Sequence, residues 1–343
     1  MRLKELSAVL GLSPTTVSRA LNGYSDVSED TRRRVLEAAR HHNYRPDARA
    51  RGLATGRAKA IGHVIPISTK HEMLNPVFAD FIAGAGETYA RAGYDMVLSV
   101  LGDEDETRVY RDLAATRRVD GIIVHGPRVE DPRVPLLREL GLPFVVHGRV
   151  SSEAGPYSWL DVNNRSAFSR ATEFLLDLGH RRIALVNGLE DMDFAVRRRA
   201  GYLAALAEHQ VPPDAAIMSS EEMTEPYGYR AARQMLALER PPTGFVVASL
   251  ISALGVRRAV EERGLVIGRD VSIVTHDDEL SYFSDPDAVP VFTATRSSVR
   301  EAGRLAAEML LEIVEVADGA PRHRLLEAVL TVGQSTGPAP TRG

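Results

Sequence analysis

Apolar residues recur at helical spacing in three short segments near the start of the chain. Leu3, Leu6 and Leu10 lie about one turn apart, which predicts a first helix, and Gly11 ends it. Ser13 followed by Pro14 predicts the start of a second helix. A serine hydroxyl can accept a hydrogen bond from an amide of the first turn, and proline fits the first helical position, where no amide donor is required.

The second and third helices have apolar faces of their own. The second is predicted to end at Asn22-Gly23, and the third to begin near Ser28. Their apolar positions are Val17, Ala20 and Leu21 in the second helix, and Val35, Leu36 and Ala39 in the third.

Two short helices joined by a tight glycine-containing turn form a helix-turn-helix. Thr15, Thr16 and Arg19 share the outer face near the amino end of the second helix, the end that meets base edges in the major groove. An arginine can bond guanine through two N–H groups. The spacing leaves one alternative open, a small helical hairpin with an ordinary polar face.

After Ile61 the pattern changes to short apolar runs that alternate with amphipathic helices. Runs such as VDGIIVHG, HRRIALVNG and TGFVVASL read as strands, and SAFSRATEFLLDLG and GYRAARQMLAL read as helices. This alternation predicts an α/β body with parallel sheets and helices on both faces. The length favours two similar lobes with a break near residues 150–163. No GxGxxG turn follows the first strand of either lobe, which disfavours a dinucleotide site.

Charge divides the chain in the same place as the hydrophobic pattern. Residues 1–60 hold 12 Lys/Arg and 6 Asp/Glu, whereas the remainder holds 30 and 40, so the balances are +6 and −10. A basic module attached to an acidic body favours nucleic-acid binding by the module, although a solvated helical surface is also consistent with charge alone. The chain has no cysteine, no apolar run of membrane-spanning length and no signal-peptide pattern, so we expect a cytoplasmic protein without disulfides or thiolate metal sites.

Several predicted strands end in polar groups that suit hydroxylated ligands. In parallel sheets, ligands bind beyond the carboxyl ends of the strands. These strand ends carry His125, His147, Asn187 and the run His276-Asp277-Asp278, and Phe78, Phe81 and Phe194 supply aromatic faces for a sugar ring. Exposed loop histidines are the plainer interpretation. No second His/carboxylate cluster has metal-ligand spacing, so we expect neither a metal nor a cofactor.

The stretch from Leu3 to Gly56 resembles the DNA-binding headpiece of the LacI/GalR family of transcription regulators. The matching elements are L-x-x-L-x-x-x-x-G-L-S, T-V-S-R-x-L-N, V-S-x-x-T-R-x-R-V and N-Y-x-P, in register. The resemblance implies that the groove-reading helix uses Ser13, Thr15, Thr16, Ser18 and Arg19. It also implies a hinge helix that folds on operator DNA, in which Ala50, Arg51 and Leu53 enter the minor groove and Leu53 wedges between base steps.

The body is similar to the two-lobed, periplasmic-binding-protein type I domain of the same family. The similarity implies an effector pocket formed by Asn75, Phe78, His125, Arg198, Met223 and Asp277. It implies a headpiece at 1–45, a hinge at 46–58 and an effector-binding and dimerisation domain at 59–343. The first lobe is expected at about 59–160 plus 293–325, and the second at about 161–292 plus 326–340.

Two departures from the family pattern concern the pocket. Ser249-Leu250 stands where Asn-Asp is frequent, which predicts a more apolar pocket, and Asn163-Asn164 stands where Asp-Asn is common. The headpiece and the stretches VVHGR and VTHDD resemble regulators of α-glucoside utilisation within the family.

The sequence therefore predicts a sequence-specific transcription repressor that binds double-stranded operator DNA as a homodimer and responds to a small sugar inducer. A regulator of the same family that needs a co-repressor is one alternative. A sugar-processing enzyme with a DNA-binding head is another, but no Gly-x-Ser-x-Gly motif, phosphate-binding loop or metal set supports it, and we expect no enzymatic activity.

Overall fold

The computed structural model describes residues 1–44, 56–66, 75–101, 106–151, 155–283, 289–316 and 319–341 of the 343-residue chain. The chain divides into two compact units, Met1–Lys59 and Ala60–Gly343. No helix in these described ranges combines the length and the apolar character needed to cross a membrane.

The first unit contains three helices whose ends agree with the sequence signals. They are α1 (Leu3–Leu10), α2 (Pro14–Leu21) and α3 (Glu29–His41). Gly11 adopts a left-handed conformation (φ 65°) that closes α1. The Ser28 hydroxyl accepts a hydrogen bond from the amide of Thr31 and caps α3.

The helices of this unit pack around a small apolar core. Leu6, Val17 and Val35 are fully buried, one from each helix. Leu36, which the sequence assigned to the apolar face of α3, is instead 37% exposed. The apolar stripe on α3 is therefore narrower than predicted, and it consists of Val35 and Ala39.

The second unit contains two six-stranded sheets with the same order of strands. The first sheet comprises β1 (Ala60–Pro66), β2 (Asp95–Leu101), β3 (Gly121–His125), β4 (Phe144–His147), β5 (Ser158–Val162) and β11 (His323–Leu326). Its order is β2-β1-β3-β4-β5-β11, and all its pairs are parallel.

The second sheet comprises β6 (Ile183–Asn187), β7 (Met218–Ser220), β8 (Gly244–Val247), β9 (Ser272–Asp277), β10 (Thr293–Arg296) and β12 (Val329–Thr331). Its order is β7-β6-β8-β9-β10-β12, with only the β10–β12 pair antiparallel. The common order confirms the predicted two similar lobes. In this order the direction of winding reverses between the first and third strands of each lobe, and such a reversal creates a crevice for ligands.

Helices cover both sheets. They are α4 (Pro76–Ala92), α5 (Glu106–Ala115), α6 (Arg133–Glu139) and α11 (Val299–Val316) in the first lobe, and α7 (Asn164–Asp177), α8 (Asp193–Glu208), α9 (Glu225–Met235) and α10 (Leu250–Glu261) in the second. Short 3-10 turns lie at Ala215–Ile217 and Ser281–Phe283.

Glycines allow the covering helices to pack closely in pairs. A Cβ at Gly84 of α4 would lie 2.0 Å from the carbonyl oxygen of Arg300 in α11, and one at Gly303 would lie 2.1 Å from that of Phe81. The α9–α10 pair meets in the same way, because a Cβ at Gly228 would lie 2.0 Å from the carbonyl oxygen of Ser252. These backbones approach too closely for any side chain at these positions.

The chain passes between the lobes after β5, after β10 and between β11 and β12. The sequence placed residues 293–296 in the first lobe, but β10 pairs with β9 in the second sheet. The predicted boundary at residue 293 therefore lies too early in the chain, since β10 still belongs to the second lobe. The sequence of a short strand that precedes a long helix does not indicate which sheet the strand joins. The segment after β9 reaches back to the first lobe, where Leu280 is buried in the core.

Candidate functional site

The amino end of α2 is built by local hydrogen bonds. The Ser13 hydroxyl accepts from the amide of Thr16 at 3.0 Å, and its oxygen lies 2.8 Å from the Thr16 hydroxyl. Pro14 occupies the first helical position, as predicted. Ser13 is thus a helix cap. Its hydroxyl can contact DNA, as predicted, only while it also accepts from the Thr16 amide.

Three of the other residues assigned to the reading helix lie on one surface. Thr15 and Arg19 are exposed, and Ser18 is partly exposed. They border a shallow depression whose lining is Leu3, Pro14, Thr15, Ser18, Arg19, Asn22 and Tyr24. The hinge residues Ala50, Arg51 and Leu53 lie outside the described residues, so their minor-groove role stays a prediction.

In the body, polar groups from both lobes lie at the carboxyl ends of the strands. His125 and His147 end β3 and β4 and are register partners in the first sheet. From the second lobe, the Asp278 carboxylate interacts electrostatically with His147 and Arg198. The strand ends of the two lobes therefore face one shared inter-lobe cleft.

Arg198 on α8 is held by hydrogen bonds and by two aromatic rings. Its Nε donates to Asn164 Oδ1 at 2.8 Å, and its Nη1 donates to the Ala248 carbonyl at 2.6 Å. The rings of Phe168 and Phe194 lie 5.1 and 4.9 Å from the guanidinium carbon. Within the described residues, Nη2 has no partner, so one donor edge of a fixed guanidinium remains for a ligand.

Burial also changes the pKa of this arginine. It lowers the pKa of Arg198 to about 10, against the opposing charges of Asp278 and Asp161. Arg198 is only 6% exposed and remains a cation at neutral pH. A buried cation of this kind favours a ligand that brings several hydrogen-bond acceptors.

The two adjacent aspartates have different environments. Asp277 accepts from the amide of Glu279 at 2.9 Å and pairs with Arg296 at 3.3 Å. Asp278 lies 3.5 Å from the Nε2 atom of His276. Burial raises the pKa of Asp278, but the hydrogen bond from His276 and the positive charge of Arg198 outweigh burial and lower it.

The sequence assigned Asp277 to the pocket, and the structure adds Asp278 as the carboxylate that interacts with Arg198. Adjacent positions on an extended strand point to opposite faces, so the sequence assignment placed only one of the two acids, Asp277, in the cleft. Asp277 is the last residue of β9, and Asp278 lies beyond the strand, where alternation no longer holds.

The remaining assigned residues lie in two groups. Phe78 packs edge-on against His125, with ring centres 5.0 Å apart, and the Sδ atom of Met223 lies 3.9 Å from Arg198 Nη1. Asn75 uses its side-chain oxygen to cap α4, accepting from the amide of Val77. Phe78 and His125 thus belong to the first-lobe wall, and Met223 and Arg198 to the second-lobe wall.

Sequence reasoning missed His63, and it noted Asn164 only as a departure from the family pattern without giving it a role. Asn164 orients Arg198, and the buried His63 lies 2.9 Å from His125 between ring nitrogens. The only sequence signal for His63 was a histidine inside an otherwise apolar strand. Ser249 caps α10 by accepting from the amide of Ile251, so it is used in local structure. In the described part of the chain, no group of three or more His, Asp or Glu side chains is arranged to hold a metal ion.

Comparisons with known proteins identify both units. Residues 3–47 match the model of bacterial regulatory proteins of the lacI family, and residues 172–336 match a periplasmic binding protein-like domain. The chain is 42% identical to the HTH-type transcriptional regulator AglR of Rhizobium meliloti (strain 1021) over 342 residues, covering 100% of this chain and 96% of that protein.

Solved structures agree over almost the whole chain. A transcriptional regulator CelR–cellobiose complex has a TM-score of 0.72 at 27% identity and covers 98% of this chain and 99% of its own. The lac repressor dimer bound to operator and the anti-inducer ONPF has a TM-score of 0.84 at 26% identity, with the same coverages.

The helix-turn-helix unit and the two-lobed body define a DNA-binding transcription regulator with a periplasmic-binding-protein-like domain. The chain belongs to the LacI family of bacterial regulatory proteins. The family and the fold class predicted from the sequence are confirmed.

Proposed function

We propose that this regulator is a cytoplasmic homodimeric repressor whose affinity for operator DNA is controlled by a small carbohydrate inducer bound between the lobes. The observation that carries the proposal is the position of Arg198. Its guanidinium is buried and fixed by Asn164 and Ala248, and it interacts with Asp278, which also interacts with His147 of the other lobe.

The chemistry of the cleft suits a sugar. Arg198 offers donors, Asp278 offers acceptors, and both carry charge that strengthens hydrogen bonds to neutral hydroxyls. Phe78 and Phe194 supply partly exposed aromatic faces for the apolar face of a sugar ring. A ligand that bonds groups of both lobes binds best when the lobes hold one particular separation.

Existing inter-lobe contacts provide the elements that such a ligand would alter. The amide of Val129 donates to the Asp191 carbonyl at 3.0 Å, and the Ser151 hydroxyl bonds Asp193 at the start of α8. On the α4 side, Ser281 bonds Asp80 through its amide and its hydroxyl. A sugar changes the operator affinity only as far as it binds the two lobe arrangements unequally.

Relatives support this class of effector. The CelR structure is described as a cellobiose complex, and the lac repressor structure is described as bound to operator and to an anti-inducer. We propose a disaccharide of the α-glucoside type, as the sequence resemblance suggested, and we propose that the chain has no enzymatic activity. A dimer would place two α2 helices in successive major grooves of a near-palindromic operator.

The experiment combines two measurements on the full-length protein. A thermal-shift screen against mono- and disaccharides and their phosphates identifies the effector, because a bound ligand raises the melting temperature by mass action. Fluorescence anisotropy with duplexes from upstream of the protein's own coding sequence then measures operator affinity with and without that sugar. We expect a loss of operator affinity of at least tenfold with the sugar.

The outcomes separate the candidate functions. Tighter operator binding with the sugar would replace the inducer proposal by co-repression. A sugar that binds without changing DNA affinity would contradict effector control, and consumption of the sugar, followed by chromatography, would favour the enzyme alternative. By linkage, the operator must change sugar affinity by the same factor as the sugar changes operator affinity.

A further inference from the structure

Three side chains form a hydrogen-bonded chain beneath the first-lobe wall of the cleft. Tyr89 on α4 lies 3.1 Å from Nε2 of His63 on β1, measured from its hydroxyl oxygen. Nδ1 of His63 lies 2.9 Å from Nε2 of His125 at the end of β3. Tyr89 is 1% exposed and His63 is 0% exposed, so water reaches neither. The chain runs from the interior to His125, which is partly exposed.

All three groups are neutral at physiological pH. Burial lowers the pKa of His63 to about 3 and raises the pKa of the Tyr89 hydroxyl. The pKa of His125 lies well below its ordinary value. Burial is the main cause, and repulsion by positive charge on His63, His147 and Arg133 adds to it. Each histidine therefore carries a single ring N–H, and its tautomer decides which nitrogen donates.

The Tyr89 hydroxyl sets the direction of the whole chain. Among the described residues it has no partner other than His63. If His63 donated to Tyr89, the hydroxyl proton would be buried without an acceptor, which costs about 1–3 kcal/mol. Tyr89 therefore donates to Nε2 of His63, so His63 must carry its proton on Nδ1 and donate to His125.

We propose that Tyr89 and His63 lock His125 in the Nδ1–H tautomer, so that the first-lobe wall presents a fixed hydrogen-bond donor to the ligand. Nε2 of His125 accepts from His63, and Nδ1 has no partner in the described part of the chain. Tyr89 and His63 are positioning residues that act through His125. This inference rests on the proposed effector function of the cleft and specifies the polarity of one of its groups.

A fixed donor selects the ligand atom opposite it. An acetal oxygen, either in the ring or in the glycosidic bond of a sugar, can only accept and fits the donor without reorientation. A hydroxyl also fits, but an ammonium group of an amino sugar can only donate and is rejected. Arg198 likewise presents donors, so of the charged groups described above only Asp278 accepts from the ligand's hydroxyl protons.

The test reads the tautomer directly and requires no ligand. The full-length protein is labelled with ¹⁵N-histidine, and long-range ¹H–¹⁵N spectra are recorded at pH 7. His125 is assigned among the ten histidines by its loss in His125→Gln. We expect a protonated Nδ1 and an unprotonated Nε2 on His125. A protonated Nε2 on His125 in the wild-type protein overturns the proposal.

The role of Tyr89 is tested with a matched pair of variants. Tyr89→Phe removes the hydroxyl that sets the direction, so we expect His125 to show both tautomers. Tyr110→Phe is the control, because Tyr110 is an equally buried tyrosine of the same lobe whose hydroxyl bonds Glu106 instead. It should leave the His125 signals unchanged. Full retention of the Nδ1–H form in Tyr89→Phe overturns the assignment of Tyr89.

This inference and the proposed function can be contradicted independently of each other. The spectra are recorded without sugar or DNA, so a wrong tautomer overturns this inference alone. An absent sugar effect on operator binding would overturn the proposed function and leave the tautomer result standing.

Discussion

Arg19 on α2 forms a two-pronged ion pair with Asp26 in the turn that follows. Nε lies 3.2 Å from Oδ1 and Nη2 lies 2.6 Å from Oδ2, and the guanidinium carbon lies 5.1 Å from the centre of the Tyr24 ring. The two charged side chains are 46% and 52% exposed, so solvent screens the pair and it contributes at most about 1 kcal/mol to stability. Its importance lies in orienting the guanidinium that is expected to read a base.

Asp26→Asn should reduce discrimination between operator and unrelated DNA. Loss of the carboxylate removes repulsion of DNA phosphates, so affinity for every duplex should increase. It also frees the Arg19 side chain, so the ratio of operator to non-specific affinity should fall by about fivefold to tenfold, at the lower end of the range for one base contact. Anisotropy with operator and scrambled duplexes at one salt concentration measures both effects.

Asp30→Asn is the matched control for this change. It removes the same charge from the same unit, but Asp30 pairs with Arg33 on α3. If the two variants lose discrimination equally, net charge is responsible and the orientation of Arg19 by Asp26 is not.

Arg198→Lys should abolish the response to the sugar and preserve operator binding. A lysine keeps the charge but lacks the planar fork that serves Asn164 and Ala248 together while leaving Nη2 available. Sugar affinity, measured by calorimetry, should fall by at least about tenfold, the cost of about one hydrogen bond to a charged group. Arg199→Lys, an exposed neighbour on the same helix, should bind sugar normally. Equal losses in both variants would refute a specific role for Arg198.

Asp278→Asn should weaken sugar binding more than Asp277→Asn does. Asp278 interacts with Arg198 and His147, whereas both carboxylate oxygens of Asp277 already bond Arg296 and the amide of Glu279. Calorimetric titration of the two variants in parallel ranks them. The reverse order would restore Asp277, the residue predicted from the sequence, as the principal carboxylate of the site.

The helical head and the two-lobed body were predictable because their signals are local or periodic. Ser13, Pro14 and Gly11 specify a helix cap, a helix start and a helix end within a few residues, and strand–helix alternation specifies parallel sheets. The pairing of Arg19 with Asp26 was not predictable, because it depends on how the turn after α2 folds back. His63 escaped notice for a related reason, since its partners Tyr89 and His125 are 26 and 62 residues away in the sequence.

Stability of the body should fall between pH 7 and pH 5, partly because of His63. Its pKa is about 3 in the folded protein and about 6.5 when unfolded, so the unfolded chain binds more protons below pH 6.5. The contribution of His63 to folded stability is therefore fully present above about pH 6.5, and it is lost progressively as the pH falls towards 3. Titration of His63 therefore lowers the free energy of unfolding at pH 5 by ~2 kcal/mol relative to pH 7. His63→Gln removes this titration, so its free energy of unfolding, measured by urea denaturation, should fall less between the two pH values than that of the wild type, by about that amount. Equal decreases in both proteins would show that His63 is not held neutral by burial. His125 is the one histidine described here that bonds His63, and the carboxylates and remaining histidines titrate alike in the two chains.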